Sequence, residues 1–124
     1  MIEYLFIKKQ DDSPEIILDR KNGLIKIEGK SIPENASKLY EPVFEWLSEY
    51  VKSPQNTEVQ INLEYFNTST ARRLLEIFRQ LEPLSKLKDV KIVWFYHAED
   101  ELIHSKGKDM QTIVQIPIEL KEFS

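Results

Sequence analysis

Between Glu58 and Leu81 the chain changes its hydrophobic period within a few residues. Val59, Ile61, Leu63 and Tyr65 alternate with Glu58, Gln60, Asn62 and Glu64, the period-two pattern of a half-buried strand. Ala71, Leu74, Leu75, Phe78 and Leu81 then recur at helical spacing. A strand that feeds straight into a helix is the building unit of α/β folds. It also fixes the place of Asn67-Thr68-Ser69-Thr70, which must lie at the junction. Three hydroxyls therefore stand at a helix N-terminus, where unpaired N–H groups and the positive dipole end favour an anion. A covalently attached phosphate is such an anion.

The remaining elements follow from the same patterns. Tyr4 to Lys8 predicts a short strand, and Glu15–Leu18 and Leu24–Glu28 predict two more. Asn22-Gly23 between the latter tolerates positive φ and marks a hairpin turn. Ser31-Ile32-Pro33-Glu34 has the form of a capping box, with Ser31 as N-cap and Glu34 reaching back. Beyond it Ala36, Leu39, Tyr40, Val43, Leu47, Tyr50 and Val51 define one helical face, within which Pro42 should bend the helix or mark a restart. The helix after Thr70 should run to about Leu87, with a break at Pro83. Val90–Tyr96 is apolar without alternation apart from Lys91, which predicts a strand buried on both faces. Ala98–Met110 predicts a short surface helix ending near Gly107, and Ile113–Leu120 a strand that Pro117 confines to an edge. Strands first, then alternating helices and strands, give a single small α/β domain over residues 1–124, a mixed sheet of five or six strands with helices packed on it.

Composition narrows the function classes. A net charge of −4 with no basic face argues against a nucleic-acid partner. The absence of cysteine removes disulfides, thiolate metal sites and cysteine nucleophiles. No secretory leader pattern opens the chain and no apolar run reaches the roughly 20 residues a membrane helix needs, so a cytoplasmic protein without membrane insertion is expected. Catalytic signatures are missing too. Three glycines make no phosphate loop, and there is neither a G-x-S-x-G elbow nor an H-E-x-x-H pair. Asp100 and His104 share a helical spacing but have no third ligand, so no metal or other cofactor is expected.

At the junction itself Asn, Ser and Thr are preferred N-caps, which alone accounts for their presence. Arg72 and Arg73 count as first-turn residues in this reading, where cations oppose the helix dipole. Each lies four residues after a hydroxyl, Arg72 after Thr68 and Arg73 after Ser69, and a phosphate there would turn the opposition into pairing. A carboxylate on a partner would serve equally well.

Three segments, in matching order, resemble the SiaC-type bacterial regulatory phosphoproteins. Gly29-Lys30-Ser31-Ile32-Pro33-Glu34-Asn35 resembles that family's G-x-S-x-P-E-N segment, and Tyr65-Phe66-Asn67-Thr68-Ser69-Thr70 its aromatic-x-N-T-S-S/T junction. Trp94-Phe95-Tyr96, the acidic stretch through Glu101, Gly107 and Asp109 are similar to its third signature. The resemblance implies a STAS-like fold, similar to anti-sigma-factor antagonists, and a non-enzymatic switch. It implies that the unphosphorylated form activates a diguanylate cyclase in cyclic di-GMP signalling. A cognate Ser/Thr kinase would phosphorylate the threonine of the motif, and a PP2C-like phosphatase would reverse it. By position the phosphoacceptor is Thr68, with Ser69 and Thr70 as fallbacks. The expected partner surface comprises Ser31, Glu34, Asn35, Tyr65, Asn67, Arg72 and Arg73. Two other readings share the pattern: an anti-sigma-factor antagonist of a partner-switching system, and a small enzyme with a deep polar pocket.

Overall fold

A computed structural model describes residues 2–124. Its elements are β1 (Tyr4–Ile7), β2 (Glu15–Asp19), β3 (Leu24–Ser31), α1 (Ala36–Tyr50), β4 (Thr57–Phe66), α2 (Thr68–Leu81), a 3-10 segment (Glu82–Lys86), β5 (Val90–His97), α3 (Glu101–Ile113) and β6 (Ile118–Phe123). The six strands form one mixed sheet in chain order. β1, β2 and β3 pair antiparallel, and β3 to β6 pair parallel. Each parallel step crosses through one helix in the same direction, and crossovers of one hand then place all three helices on one face.

The register shows why that face is the core. Leu5, Leu18, Ile25, Val59, Ile92 and Ile118 form one inward row across all six strands, and every member is aliphatic. The next inward row is Ile7, Ile16, Ile27, Ile61, Trp94 and Leu120. Against them pack Tyr40, Val43 and Leu47 of α1, Leu74, Ile77 and Phe78 of α2, and Ile103 and Met110 of α3. The row between them, Phe6, Ile17, Lys26, Gln60, Val93 and Glu119, faces the other way, where no helix covers it. Charge pairs lie across this open face: Lys26 with Glu28 at 2.8 Å and Glu15 at 3.5 Å, Lys91 with Glu58 at 3.5 Å. The hydrogen bond to Glu28 leads the causes that raise the Lys26 pKa above its ordinary value.

Several expectations need correction. β5 is covered by helices on one face only; Val93 lies on the other, in the row with Gln60 and Glu119, and is still buried. α1 begins after Asn35, whose side chain accepts from Lys38 N–H at 3.1 Å, so Ser31 and Glu34 form no capping box. It runs unbroken through Pro42. α3 continues six residues past Gly107, which lies buried in mid-helix rather than at a C-cap. The break at Pro83 is real: α2 ends at Leu81 and a tighter turn takes over.

Two tyrosines tie the ends of α1 to the sheet. Near its C-terminus Tyr50 Oη meets Thr57 Oγ1 at 2.7 Å, and Thr57 donates to the Gln55 carbonyl at 2.8 Å. Tyr40, near the start, lies 2.7 Å from Ser31 Oγ at the end of β3.

Candidate functional site

The carboxyl ends of β3, β4 and β5 and the N-termini of all three helices lie at one end of the sheet, the end where open α/β sheets place their sites. Asn67 is the hinge between β4 and α2. Its Oδ1 accepts from Thr70 N–H at 2.9 Å and from Ser69 Oγ at 3.0 Å, and its Nδ2 donates to the Pro33 carbonyl at 3.4 Å. Its own N–H donates to the Ser31 carbonyl at 3.1 Å, so one residue caps α2 and joins it to the β3–α1 loop.

The three hydroxyls after it have different fates. Thr70 is fully buried; its Oγ1 donates to the Ser31 carbonyl at 2.9 Å and sits 2.8 Å from Ser31 Oγ. Ser31 Oγ in turn lies 2.7 Å from Tyr40 Oη. A carbonyl only accepts, so Thr70's single proton is committed, Ser31 must donate to Thr70, and Tyr40 must donate to Ser31. The chain Tyr40→Ser31→Thr70→Ser31 carbonyl thus has one direction. Ser31, expected on the partner surface, is instead fully buried at the end of β3. Ser69 is exposed but donates to Asn67. Thr68, the first residue of α2, is exposed, and among the described residues its hydroxyl has no hydrogen bond.

Burial pushes the Tyr40 phenol up to about 12. Its ordinary value is about 10, so the folded chain holds this proton after the unfolded chain has lost it. That contribution to stability is whole below pH 10 and disappears between pH 10 and about 12. Denaturant melts across this window should show a steep stability loss in the wild type and a shallower one in Tyr40→Phe; parallel curves would remove Tyr40 as the cause.

Tyr65 is where strand alternation fails. β3 and β4 pair Gly29 with Leu63, then Lys30 with Tyr65 and Ser31 with Phe66, so β4 carries one extra residue. Gly29, at φ 121°, accommodates the irregularity. The bulge turns Phe66 into the core and leaves Tyr65, expected on the apolar face, 53% exposed. Glu34, Asn35, Thr68 and Arg72 are exposed as well. Lys30 and Glu64 pair at 3.7 Å nearby.

The two arginines belong to the second turn of α2, because the helix starts at Thr68. Their conflict with the dipole is correspondingly weaker. Arg73 bonds Glu76 at 2.9 Å and Ser37 Oγ of α1 at 3.2 Å, and its buried Nε–H has no acceptor among the described residues. Asp100 caps α3, and His104 stacks on Tyr96 with centroids 4.1 Å apart. Among the described residues no cluster of three His, Cys, Asp or Glu could hold a metal, and no helix is long and apolar enough to cross a membrane.

Fold and site together define a small α/β domain that presents an unbonded hydroxyl at a capped helix start. The family model that describes the SiaC family regulatory phosphoproteins matches residues 7–123, and the chain belongs to that family. An uncharacterised protein of Pseudomonas aeruginosa (strain UCBPP-PA14) is 24% identical over 119 residues, 94% of each chain. The fold matches apo-SiaC from Pseudomonas aeruginosa with a TM-score of 0.87 at 22% identity, covering 97% of this chain and 99% of that one. It also matches SiaC in the structure of the diguanylate cyclase SiaD in complex with its activator SiaC, from the same organism, with a TM-score of 0.90 at 23% identity over 96% and 99% of the two chains.

Proposed function

We propose that this protein is a phosphorylation-controlled binding module rather than a catalyst. In its unphosphorylated form it docks on a diguanylate cyclase and activates it, and phosphorylation of Thr68 ends the interaction. The observation that carries the reading is the contrast among three adjacent hydroxyls: Thr70 is buried and bonded, Ser69 is bonded to the cap, and Thr68 alone is exposed and unbonded. The complex of SiaD with its activator SiaC supplies the class of partner.

A phosphate on Thr68 gains from the free N–H groups of the first turn and from Arg72 four residues on. It adds roughly −1.5 to −2 charge at the exposed start of α2, three residues after exposed Tyr65. A partner contact that includes this helix start must then desolvate a dianion, and docking is lost. A cognate Ser/Thr kinase reaches Thr68 without unfolding anything, a PP2C-like phosphatase reaches the product equally, and all four proteins meet in the cytoplasm.

The test pairs binding with modification. Thr68→Ala should hold a candidate cyclase as tightly as the wild type, and Thr68→Asp should hold it at least about tenfold more weakly, given the added charge. Intact-mass analysis after incubation with the kinase should show one phosphate, absent from Thr68→Ala. Equal binding by wild type and both variants sinks the switch, and incorporation that survives in Thr68→Ala moves the acceptor elsewhere.

A further inference from the structure

The two edges of the sheet are built differently. β6 follows Pro117 and carries Glu119, Lys121 and Glu122, features that discourage another strand from pairing with it. β1 reads Tyr-Leu-Phe-Ile and has none of them. It pairs with β2 along one side, and among the described residues no strand pairs with its other side. Ile2, Tyr4 and Phe6 stand 59%, 54% and 49% exposed along it. An edge this apolar, left open, attracts another strand.

Beside the edge runs a cleft of about 420 Å³ between β1 and α1. Leu5, Pro42 and Trp46 give it an apolar floor, and Glu45 and Glu49 stand along it. Trp46 Nε1 donates to the Ile2 carbonyl at 2.8 Å, which holds the chain ahead of β1 against α1. Glu41, one turn before Glu45, extends the acidic stripe. Like charges four residues apart destabilise a helix, so the stripe is a local cost that a cationic neighbour would relieve. Lys52, 3.5 Å from Glu49, is the cation paired with this stripe among the described residues.

We propose that the free side of β1 and this cleft together dock an extended cationic segment of a partner protein, added to the sheet as a seventh strand. Its backbone bonds to β1, and its alternate lysines or arginines face the cleft, their aliphatic stems lying on Leu5, Pro42 and Trp46 and their charges reaching Glu45 and Glu49, while the residues between them lie beside Tyr4 and Phe6 on the open face. A second copy of this chain suits the edge less well, because pairing β1 with β1 would bring two acidic α1 stripes together. The surface is independent of the phosphoswitch. Tyr4 pairs with Asp19, Asp19 with Leu24 and Leu24 with Glu58, at the start of the parallel strands, whereas Thr68 follows their far end.

The probe is a synthetic heptapeptide alternating lysine and valine, titrated into the full chain and followed by Trp46 fluorescence and calorimetry. Saturable binding is expected, at least tenfold weaker for the double variant Glu45→Lys/Glu49→Lys, and weaker again for a peptide N-methylated at alternate amides. No saturable binding, or equal affinity for the double variant, overturns the site; equal affinity of the N-methylated peptide overturns strand addition. A concentration-dependent dimer by sedimentation that Phe6→Lys dissolves would assign the edge to a second copy instead.

Discussion

Ser31→Ala should destabilise the protein by about 2 kcal/mol, and adding Tyr40→Phe should restore most of that loss. The direction of the buried hydroxyl chain dictates this unusual sign. With Ser31 gone, Thr70 still donates to the residue 31 carbonyl, but the buried Tyr40 O–H loses the acceptor that lay 2.7 Å away. A buried donor without a partner costs about 1–3 kcal/mol. Removing the phenol oxygen as well leaves no donor stranded. Tyr40→Phe alone should cost about 1 kcal/mol or less, since Ser31 and Thr70 remain satisfied without it. Denaturant unfolding of the two single variants and the double variant measures the coupling directly. Simple additivity of the two losses would mean that the chain does not run in the derived direction.

Gly107→Ala is the second large effect, and its sign is again informative. In an exposed helix interior the change gains up to about 1 kcal/mol. Here a Cβ would stand 2.7 Å from Trp94 Cδ1, 2.8 Å from Trp94 Nε1 and 2.7 Å from Leu120 Cδ2. Leu120 can swing aside. Trp94 cannot, because it is fully buried, donates to the Ile103 carbonyl at 3.0 Å and meets the Phe66 ring edge-on at 5.9 Å. Overpacking of this kind costs about 1–3 kcal/mol, so the net change should be a loss of about 1–2 kcal/mol. The denaturant midpoint should fall with an unchanged slope. A stabilised variant would mean that α3 sits farther from β5 than described.

Periodicity made most of the architecture legible before any coordinates. The hairpin at Asn22-Gly23, the α1 stripe and the β4-to-α2 switch follow from local pattern, because each is specified by residues close in sequence; the last edge strand does too, although it spans Ile118–Phe123 rather than Ile113–Leu120. What escaped was set across the chain. Ser31 looked like a cap because its neighbours fit a capping box, yet its partners are Tyr40 and Thr70, nine and 39 residues away. One signal was present: Thr70 falls on the stripe with Leu74, Ile77, Phe78 and Leu81, which marks it as inward-facing. Gly107 fits a helix end by local pattern because its real constraint, the indole of Trp94, comes from another element. Thr68 could be placed at the junction from pattern alone, but only the burial of Thr70 and the bond from Ser69 to Asn67 separate the three hydroxyls.

The extra residue in β4 separates two kinds of selection that would otherwise compete. Without it, the aromatic at position 65 would be a core residue, and every change that tuned a partner contact would disturb packing. With it, Phe66 answers to the interior and Tyr65 to the outside, side by side on one strand. Position 65 can therefore change while the sheet beneath it stays intact. If the proposed docking surface includes Tyr65, substitutions there should weaken cyclase binding and leave the denaturant midpoint unchanged.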